Sequence, residues 1–203
     1  MKKFGRVHQS FVATASTAML CLVASTGMAE AACSPSGNNQ DQNIVCKDDS
    51  GGSPYNAGKG KDNIVIKAGK YDESISGGKD NDTIIIRDGA KPSEVLGGAD
   101  NDRIVLKDGA KAGTIDGEDG RDTIVLRGGK ADKVKGGKGN DTITLNGARI
   151  KKEISGGKGR DTITLKDGKV ATVDGGDDND TIKLNGAKVK KDIAGGDGRD
   201  TIK

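Results

Sequence analysis

Short alternations of apolar and polar residues recur along the chain from about residue 60 onwards. In each of them two large aliphatic residues flank a single residue, as in Ile104–Leu106 and Ile143–Leu145. A period of two is typical of a short β-strand with one buried face. The flanked residue changes from Ile85 to Lys183 along the chain, so we expect the other face of this strand to meet solvent.

A second, weaker strand is predicted in each repeat, and it carries one fixed apolar residue. These residues are Ile75, Val95, Ile115, Val134, Ile154, Val173 and Ile193. Asp-Gly or Asn-Gly pairs, such as Asp88–Gly89 and Asn146–Gly147, separate the two strands. Such pairs supply positive φ at little cost, so each repeat is predicted to be strand, turn, strand, turn.

One aspartate in each repeat follows a glycine-rich turn and precedes the stronger strand. The eight aspartates recur at a nearly constant spacing and are Asp62, Asp82, Asp102, Asp122, Asp141, Asp161, Asp180 and Asp200. A constant period of about 20 residues indicates stacked supersecondary units. The predicted fold is all-β, a parallel β-helix or β-roll solenoid of about eight coils, roughly 40 Å long at the usual strand spacing.

The N-terminus has the features of a signal peptide. Lys2, Lys3 and Arg6 precede the apolar stretch Phe11–Met28, and Ala29–Ala31 fits a cleavage site. We therefore predict a signal peptide at 1–31, an N-terminal cap at 32–56 and repeats at 57–203. The chain is expected to be exported, to the cell surface or the extracellular space, with no membrane insertion by the repeats.

Two cysteines remain after the predicted cleavage, Cys33 and Cys46. In an oxidising compartment a pair this close in sequence predicts a local disulfide, which contributes about 3 kcal/mol in the chain-entropy model. Two free thiols are the alternative.

The composition of the predicted mature chain excludes several functions. The only histidine of the full chain, His8, lies in the predicted signal peptide, so histidine-dependent nucleophilic catalysis and Cys/His zinc sites are excluded for the mature chain. The carboxylates form a ladder rather than a pair in a pocket, and we expect no enzyme. The net charge of +3 falls towards zero on cleavage, and nucleic-acid binding is not expected without clustered cations and aromatic residues.

The fullest turns read Gly-Gly-x-Gly-x-Asp, at Gly136–Asp141, Gly156–Asp161 and Gly195–Asp200. This pattern resembles the nonapeptide repeat of the RTX (repeats-in-toxin) family, in which calcium lies between stacked turns. Calcium prefers six to eight hard oxygen ligands, and glycine lets backbone carbonyls curl towards an ion.

The resemblance implies calcium as the cofactor and assigns its ligands by position. They are the eight aspartates named above and backbone carbonyls near Gly136, Lys138, Gly156 and Lys158. Asp80, Asp100 and Asp178 stand at the fourth turn position, where they tolerate left-handed φ and add possible ligands. Because the turn occurs once per coil, one row of calcium ions is expected.

Two copies depart from this pattern, and two alternatives to calcium stay open. Glu118 replaces the second glycine, and the first copy, Ala57–Asp62, lacks the glycine pair. The aspartates can be turn residues only. Alternatively, lysine and arginine of the same turns neutralise the repulsion between stacked carboxylates, which is about 1–3 kcal/mol per pair. These cations are Lys79, Arg121, Lys138, Lys158, Arg160 and Arg199.

Export and a long charged repeat surface predict an adhesin that contacts host or neighbouring cells. Ala32–Cys33 and Cys46 ahead of the repeats resemble the N-terminal cap of some bacterial autotransporter passengers. Expected partners are calcium ions and a host-cell receptor or anionic glycan, the latter at Lys151, Lys152, Lys188, Lys190 and Lys191. The alternatives are a passive spacer or a calcium-independent β-helix, with the lysines as a solvated face.

Overall fold

The computed structural model describes residues 33–34, 39–47 and 54–203, and all regular elements within them are β-strands. The predicted signal peptide at 1–31 lies outside these residues. The strands are β1 Cys33–Ser34, β2 Asn43–Cys46, β3 Tyr55–Lys59, β4 Asn63–Ile66, β5 Gly69–Lys79, β6 Thr83–Ile86, β7 Ala90–Ala99, β8 Arg103–Leu106, β9 Lys111–Asp119, β10 Thr123–Arg127, β11 Lys130–Lys138, β12 Thr142–Lys158, β13 Thr162–Val170, β14 Thr172–Asp177, β15 Thr181–Leu184, β16 Lys188–Val189, β17 Ile193–Asp197 and β18 Thr201–Ile202.

These strands stack in parallel, each on its equivalent one coil away. Ile64 pairs with Ile84, Ile84 with Ile104, and Ile104 with Ile124. The weaker strands stack in the same way, as Val134 on Ile154 shows. The predicted all-β parallel solenoid is confirmed, and its coils have the length that the spacing of the aspartates implies.

The core is a narrow column of aliphatic side chains inside the coils. The paired aliphatic residues of the stronger strands, such as Ile143 and Leu145, are fully buried, and Ile154 faces them from the weaker strand. Ala90, Ala110, Ala131 and Ala148 close the column at the second turn, and all four are fully buried. The in-register stack buries each large side chain against its copies in the neighbouring coils, which explains why so few large residues per coil suffice.

Differences in coil length are absorbed at the second turn. Before this turn, Leu126 pairs with Leu106, and after it, Lys130 pairs with Lys111. The sequence separation between paired residues is therefore one residue shorter after the turn than before it. The glycine turn keeps its register throughout, as the pairing of Gly137 with Gly157 shows. The geometry is therefore constant at the aspartate edge and variable at the opposite edge.

The first stacked strand lies ahead of the predicted repeat boundary at residue 57. Strand β2 pairs in parallel with β4, with Ile44 opposite Ile64, and Gln42 precedes it where later coils have aspartate. The sequence pattern missed this coil because it lacks the aspartate.

The predicted disulfide between Cys33 and Cys46 is confirmed. It joins β1 to β2 in the only antiparallel pairing found among the described residues, and both cysteines are buried. The disulfide thus attaches the short strand β1 to the first coil. In the part of the chain that the structure describes, no helix is able to span a bilayer.

We expect Ile143→Ala to lower the free energy of unfolding by about 2–5 kcal/mol, because it leaves a cavity in a core with no second layer of side chains. Thr144→Ala, on the other face of the same strand, serves as the matched control and is expected to change it by less than about 1 kcal/mol. Urea denaturation followed by far-UV circular dichroism measures both. Equal losses in the two variants would contradict this assignment of the core.

Candidate metal centre

In the glycine-rich turn that ends at each aspartate, the backbone adopts positive φ values that few residues with a side chain adopt. We number its positions one to six, as in Gly136–Asp141. At position two, Gly137 has φ +117°, and a Cβ there would collide with the carbonyl oxygen of Glu118 in the preceding coil. Position four is also left-handed, with Asp80 at φ 74° and Asp100 at φ 79°. Glycine at position two therefore allows adjacent turns to stack in close contact.

The aspartates at position six form a continuous buried column, which we call the aspartate ladder. It consists of the eight aspartates predicted as ligands, and the seven from Asp62 to Asp180 are at most 3% exposed. Asp200, in the last coil, is half-buried. The structure thus brings the predicted carboxylates together along one edge.

One carboxylate oxygen of each ladder residue is used to join coils. Oδ1 of Asp141 accepts the backbone N–H of Asp122 at 2.7 Å, and Oδ1 of Asp161 accepts that of Asp141 at 2.7 Å. The same bond recurs from Gln42 to Asp200, at 2.7–2.9 Å. The aspartates therefore have a structural role that does not need a metal, as one of the alternatives proposes.

The other oxygen, Oδ2, is buried and has no hydrogen-bond partner from Asp62 to Asp180. A buried carboxylate oxygen without a partner carries a desolvation penalty. A single ladder hydrogen bond therefore does not account for the whole site, and Oδ2 needs a cation or a proton.

A second oxygen faces the same space as Oδ2. A Cβ built on Gly97 would lie 2.5 Å from Oδ2 of Asp102 and 2.5 Å from the carbonyl oxygen of Gly117 in the next coil. At Gly136 the same point is faced by Oδ2 of Asp141 and the carbonyl oxygen of Gly156. Only glycine leaves this space open, and its oxygen lining fits the ligand preference of calcium.

The predicted carbonyl ligands have two different environments. The carbonyls of Gly136 and Gly156 face the space beside the ladder. The carbonyls of Lys138 and Lys158 accept N–H bonds from Gly120 and Gly139 of the preceding coil, at 2.8 and 2.7 Å. Each of these two carbonyls therefore has one lone pair left for an ion.

The fourth-position aspartates are exposed and bond to the preceding coil. Oδ2 of Asp80 accepts the N–H of Gly60 at 3.1 Å, and Oδ2 of Asp100 accepts that of Asp80 at 3.2 Å. Asp178 is also exposed and has the same left-handed backbone. Their predicted conformation is confirmed, and their role as additional ligands stays a prediction.

No cationic side chain among the described residues forms a salt bridge with the aspartate ladder. Lys138 pairs instead with Asp119 at 2.9 Å, and Lys158 with Asp177 at 3.8 Å, both at the exposed third position. Neutralisation of the ladder by lysine and arginine therefore receives no support from these contacts.

Burial makes ionisation of the ladder unfavourable. Removal from water, reinforced by neighbouring carboxylates, raises the pKa of Asp102 to about 8 and that of Asp82 to about 7. The pKa is about 7 for Asp122 and Asp161 and about 6 for Asp141, and it is also raised for Asp62 and Asp180. The N–H bond from the preceding coil lowers each pKa, but by less than burial raises it. Without a metal, a proton is therefore the alternative partner of Oδ2 near neutral pH.

A row of asparagines beside the ladder was not anticipated from the sequence. Oδ1 of Asn140 accepts the N–H of Arg160 at 2.8 Å, and Oδ1 of Asn179 accepts that of Arg199 at 2.7 Å. These bonds run from the later coil to the earlier one, opposite to those of the aspartate ladder. The signal for them was the recurrence of asparagine at turn position five.

Among the described residues, no group of three histidine, cysteine, aspartate or glutamate side chains has the geometry to hold a metal. Because each coil contributes one ladder carboxylate, a metal at this edge would take most of its remaining ligands from backbone carbonyls, with the fourth-position aspartates as the predicted additions.

Comparison with known proteins identifies the repeat. The family model for the RTX calcium-binding nonapeptide repeat matches four copies, over residues 67–85, 105–130 and 126–148. The matched segments include the turns that end at Asp82, Asp122 and Asp141. The β-solenoid thus contains RTX calcium-binding repeats over these segments, and calcium is the ligand of this repeat class. No curated protein and no solved structure matches the chain.

We expect Asp141→Asn with Asp161→Asn to separate the two roles of the ladder. Asparagine keeps an acceptor for the N–H bond but removes the charge, so stability in chelator should change little, whereas the gain on adding calcium should fall. That gain is about 2.7 kcal/mol when calcium is at 100 times its Kd. Thermal unfolding with calcium, with magnesium and with chelator measures it.

The corresponding alanine pair, Asp141→Ala with Asp161→Ala, is the control that removes both roles. It should lose stability in chelator as well as in calcium. An asparagine pair that gains as much from calcium as the native chain would refute these aspartates as ligands.

The metal-free protein should become less stable as pH rises from about 4 to 8. A pKa raised on folding means that the folded state binds more protons, so the contribution of the ladder is fully present below the unfolded pKa of 3.8 and is lost through the folded values, about 6 to 8. Thermal unfolding in calcium-depleted buffers at pH 5 and 8.5 tests this. A higher Tm at pH 8.5 would contradict a desolvated, unpaired ladder.

Proposed function

We propose that the protein is an exported calcium-binding solenoid that contacts host or neighbouring cells, as an adhesin or as part of an autotransporter passenger. The observation that carries the calcium-binding part of this proposal is the unpartnered Oδ2 from Asp62 to Asp180. Extracellular calcium would fill this edge, couple metal binding to folding and stiffen the thin coil.

Two further observations support export. The Cys33–Cys46 disulfide is characteristic of proteins that fold in oxidising compartments. The sequence pattern of residues 1–31 is that of a signal peptide. Both observations favour a location outside the cytoplasm, where free calcium is abundant.

A binding role fits the side chains better than catalysis does. The ladder carboxylates repeat at one spacing along an edge, and each accepts a hydrogen bond from the preceding coil. A catalytic acid–base pair needs two carboxylates in different environments, whereas the ladder carboxylates all have the same kind of environment. We therefore propose a non-enzymatic protein in which calcium sets the shape of the lateral surfaces.

Labelled protein, residues 32–203, should adhere to cell surfaces in calcium and lose adhesion in chelator. The measurement is retention of the label on intact cells and on beads coated with extracellular matrix. The Asp141→Asn, Asp161→Asn pair should show reduced retention. The Ser155→Ala variant, whose change lies one residue before the turn that ends at Asp161, should behave as the native protein.

A protein that folds with calcium but adheres to neither surface would refute the adhesin and leave a structural spacer. A protein whose folding and adhesion are both insensitive to calcium would refute the metal-dependent solenoid.

A further inference from the structure

The edge opposite the aspartate ladder carries a column of like charges. Strand pairing places cationic residues from five successive coils in direct register, and all five are exposed. We call these residues, Lys111, Lys130, Arg149, Lys169 and Lys188, the cationic ladder. At the usual strand spacing it extends for about 19 Å along the solenoid axis.

Elsewhere on the surface, stacked charges of opposite sign are paired between coils. Lys135 contacts Asp116 at 3.1 Å, and Lys151 contacts Asp132 at 2.6 Å. Lys133 and Glu153 form a third such pair. Opposite charges therefore compensate each other at these three surface positions, whereas the five stacked residues of the cationic ladder share one sign.

None of the salt bridges between described residues includes a member of the cationic ladder. Like charges directly opposite each other on paired strands destabilise a sheet. The arrangement thus opposes folding slightly, and an anion lying along the column would relieve the repulsion.

A groove adjoins three members of this ladder. It has a volume of about 410 Å³ and is lined by Lys111, Lys130 and Arg149, with Gly109, Gly129 and Gly147 between them. The glycines leave a surface without side chains, so a ligand can approach close to the backbone while the cations surround it.

One acidic side chain, Asp108, also lines the groove. Its Oδ1 accepts the N–H of Gly109 at 2.9 Å. Three cationic side chains and this one carboxylate line the groove, so the positive charges outnumber the negative one.

We propose that the cationic ladder binds a linear acidic polysaccharide, sulfated or carboxylated, with its chain parallel to the solenoid axis. A single straight row of cations matches a polymer whose anionic groups recur along one line. The choice of a polysaccharide rests on the proposed cell-surface role, whereas the ladder itself rests on strand register alone.

Nucleic acid fits this edge less well. Single strands are usually held by aromatic stacking as well as charge, and the tyrosines of the described residues lie elsewhere: Tyr71 is buried and Tyr55 is half-buried. The groove itself is lined by charged residues, glycine and alanine. Its chemistry therefore recognises charge and linear spacing rather than bases.

The probe for this proposal is a series of heparin oligosaccharides of increasing length, titrated calorimetrically into the calcium-loaded chain 32–203. Affinity should rise with length until the oligosaccharide spans the ladder, about 19 Å, and then level off. The slope of log K against log salt should reflect release of counterions from the polymer.

The test variant is Lys111→Ala, Lys130→Ala, Arg149→Ala. It should bind at least about tenfold more weakly, with a salt slope lower by about three. The control, Arg121→Ala, Arg160→Ala, Arg199→Ala, loses the same charge from exposed residues of the calcium edge and should bind within about twofold of the native chain. Circular dichroism and calcium titration should be unchanged in the test variant, which separates loss of this site from loss of the calcium-dependent solenoid.

Three results would overturn the proposal. They are no binding by the folded, calcium-loaded native chain, equal weakening in the two variants, and ladder-dependent binding of single-stranded DNA at least as tight as that of heparin. None of these results bears on calcium-dependent adhesion, so the proposed function would stand or fall separately.

Discussion

The structure depends on the register in which successive coils stack, and the buried N–H to Oδ1 bond between ladder residues fixes that register. Each bond joins equivalent positions of adjacent coils, such as Asp122 with Asp141 and Asp141 with Asp161. Because side chains alternate faces along a strand, a shift of one residue would turn the aliphatic pairs outwards. The ladder bond and the aliphatic core therefore select the same alignment.

The same stacking makes the ionised carboxylates of the aspartate ladder unfavourable unless they bind a cation. It encloses Oδ2 from Asp62 to Asp180 without a hydrogen-bond partner and raises the pKa of these carboxyls. Calcium satisfies Oδ2 by charge, and a proton satisfies it by neutralisation. A protein of this design is expected to exchange protons for calcium as it folds, with the narrow core supplying the remaining stabilisation.

The two turn edges have opposite constraints. At the glycine edge, contacts such as that of Gly137 with the carbonyl of Glu118 leave no room for variation in length. At the second turn, shifts in register are tolerated, as between Leu126 and Arg127. The buried carboxylates of the aspartate ladder lie at the rigid edge, and the cationic ladder lies at the variable one.

The sequence by itself determined the repeat, the alternation of the strands and the glycine-rich turn, because these depend on local periodicity and on residues near one another in the chain. The recurrence of aspartate at a fixed spacing, followed each time by alternating aliphatic residues, predicted a solenoid and its core positions. The resemblance of the glycine-rich turns to the RTX repeat implied the calcium edge. Only the tertiary structure decided that Oδ1 is engaged while Oδ2 is not, that Gln42 continues the ladder, and that Lys111 to Lys188 form one column. These features depend on which residues face each other across coils, and a change of one residue in a turn alters that pairing without altering any local pattern.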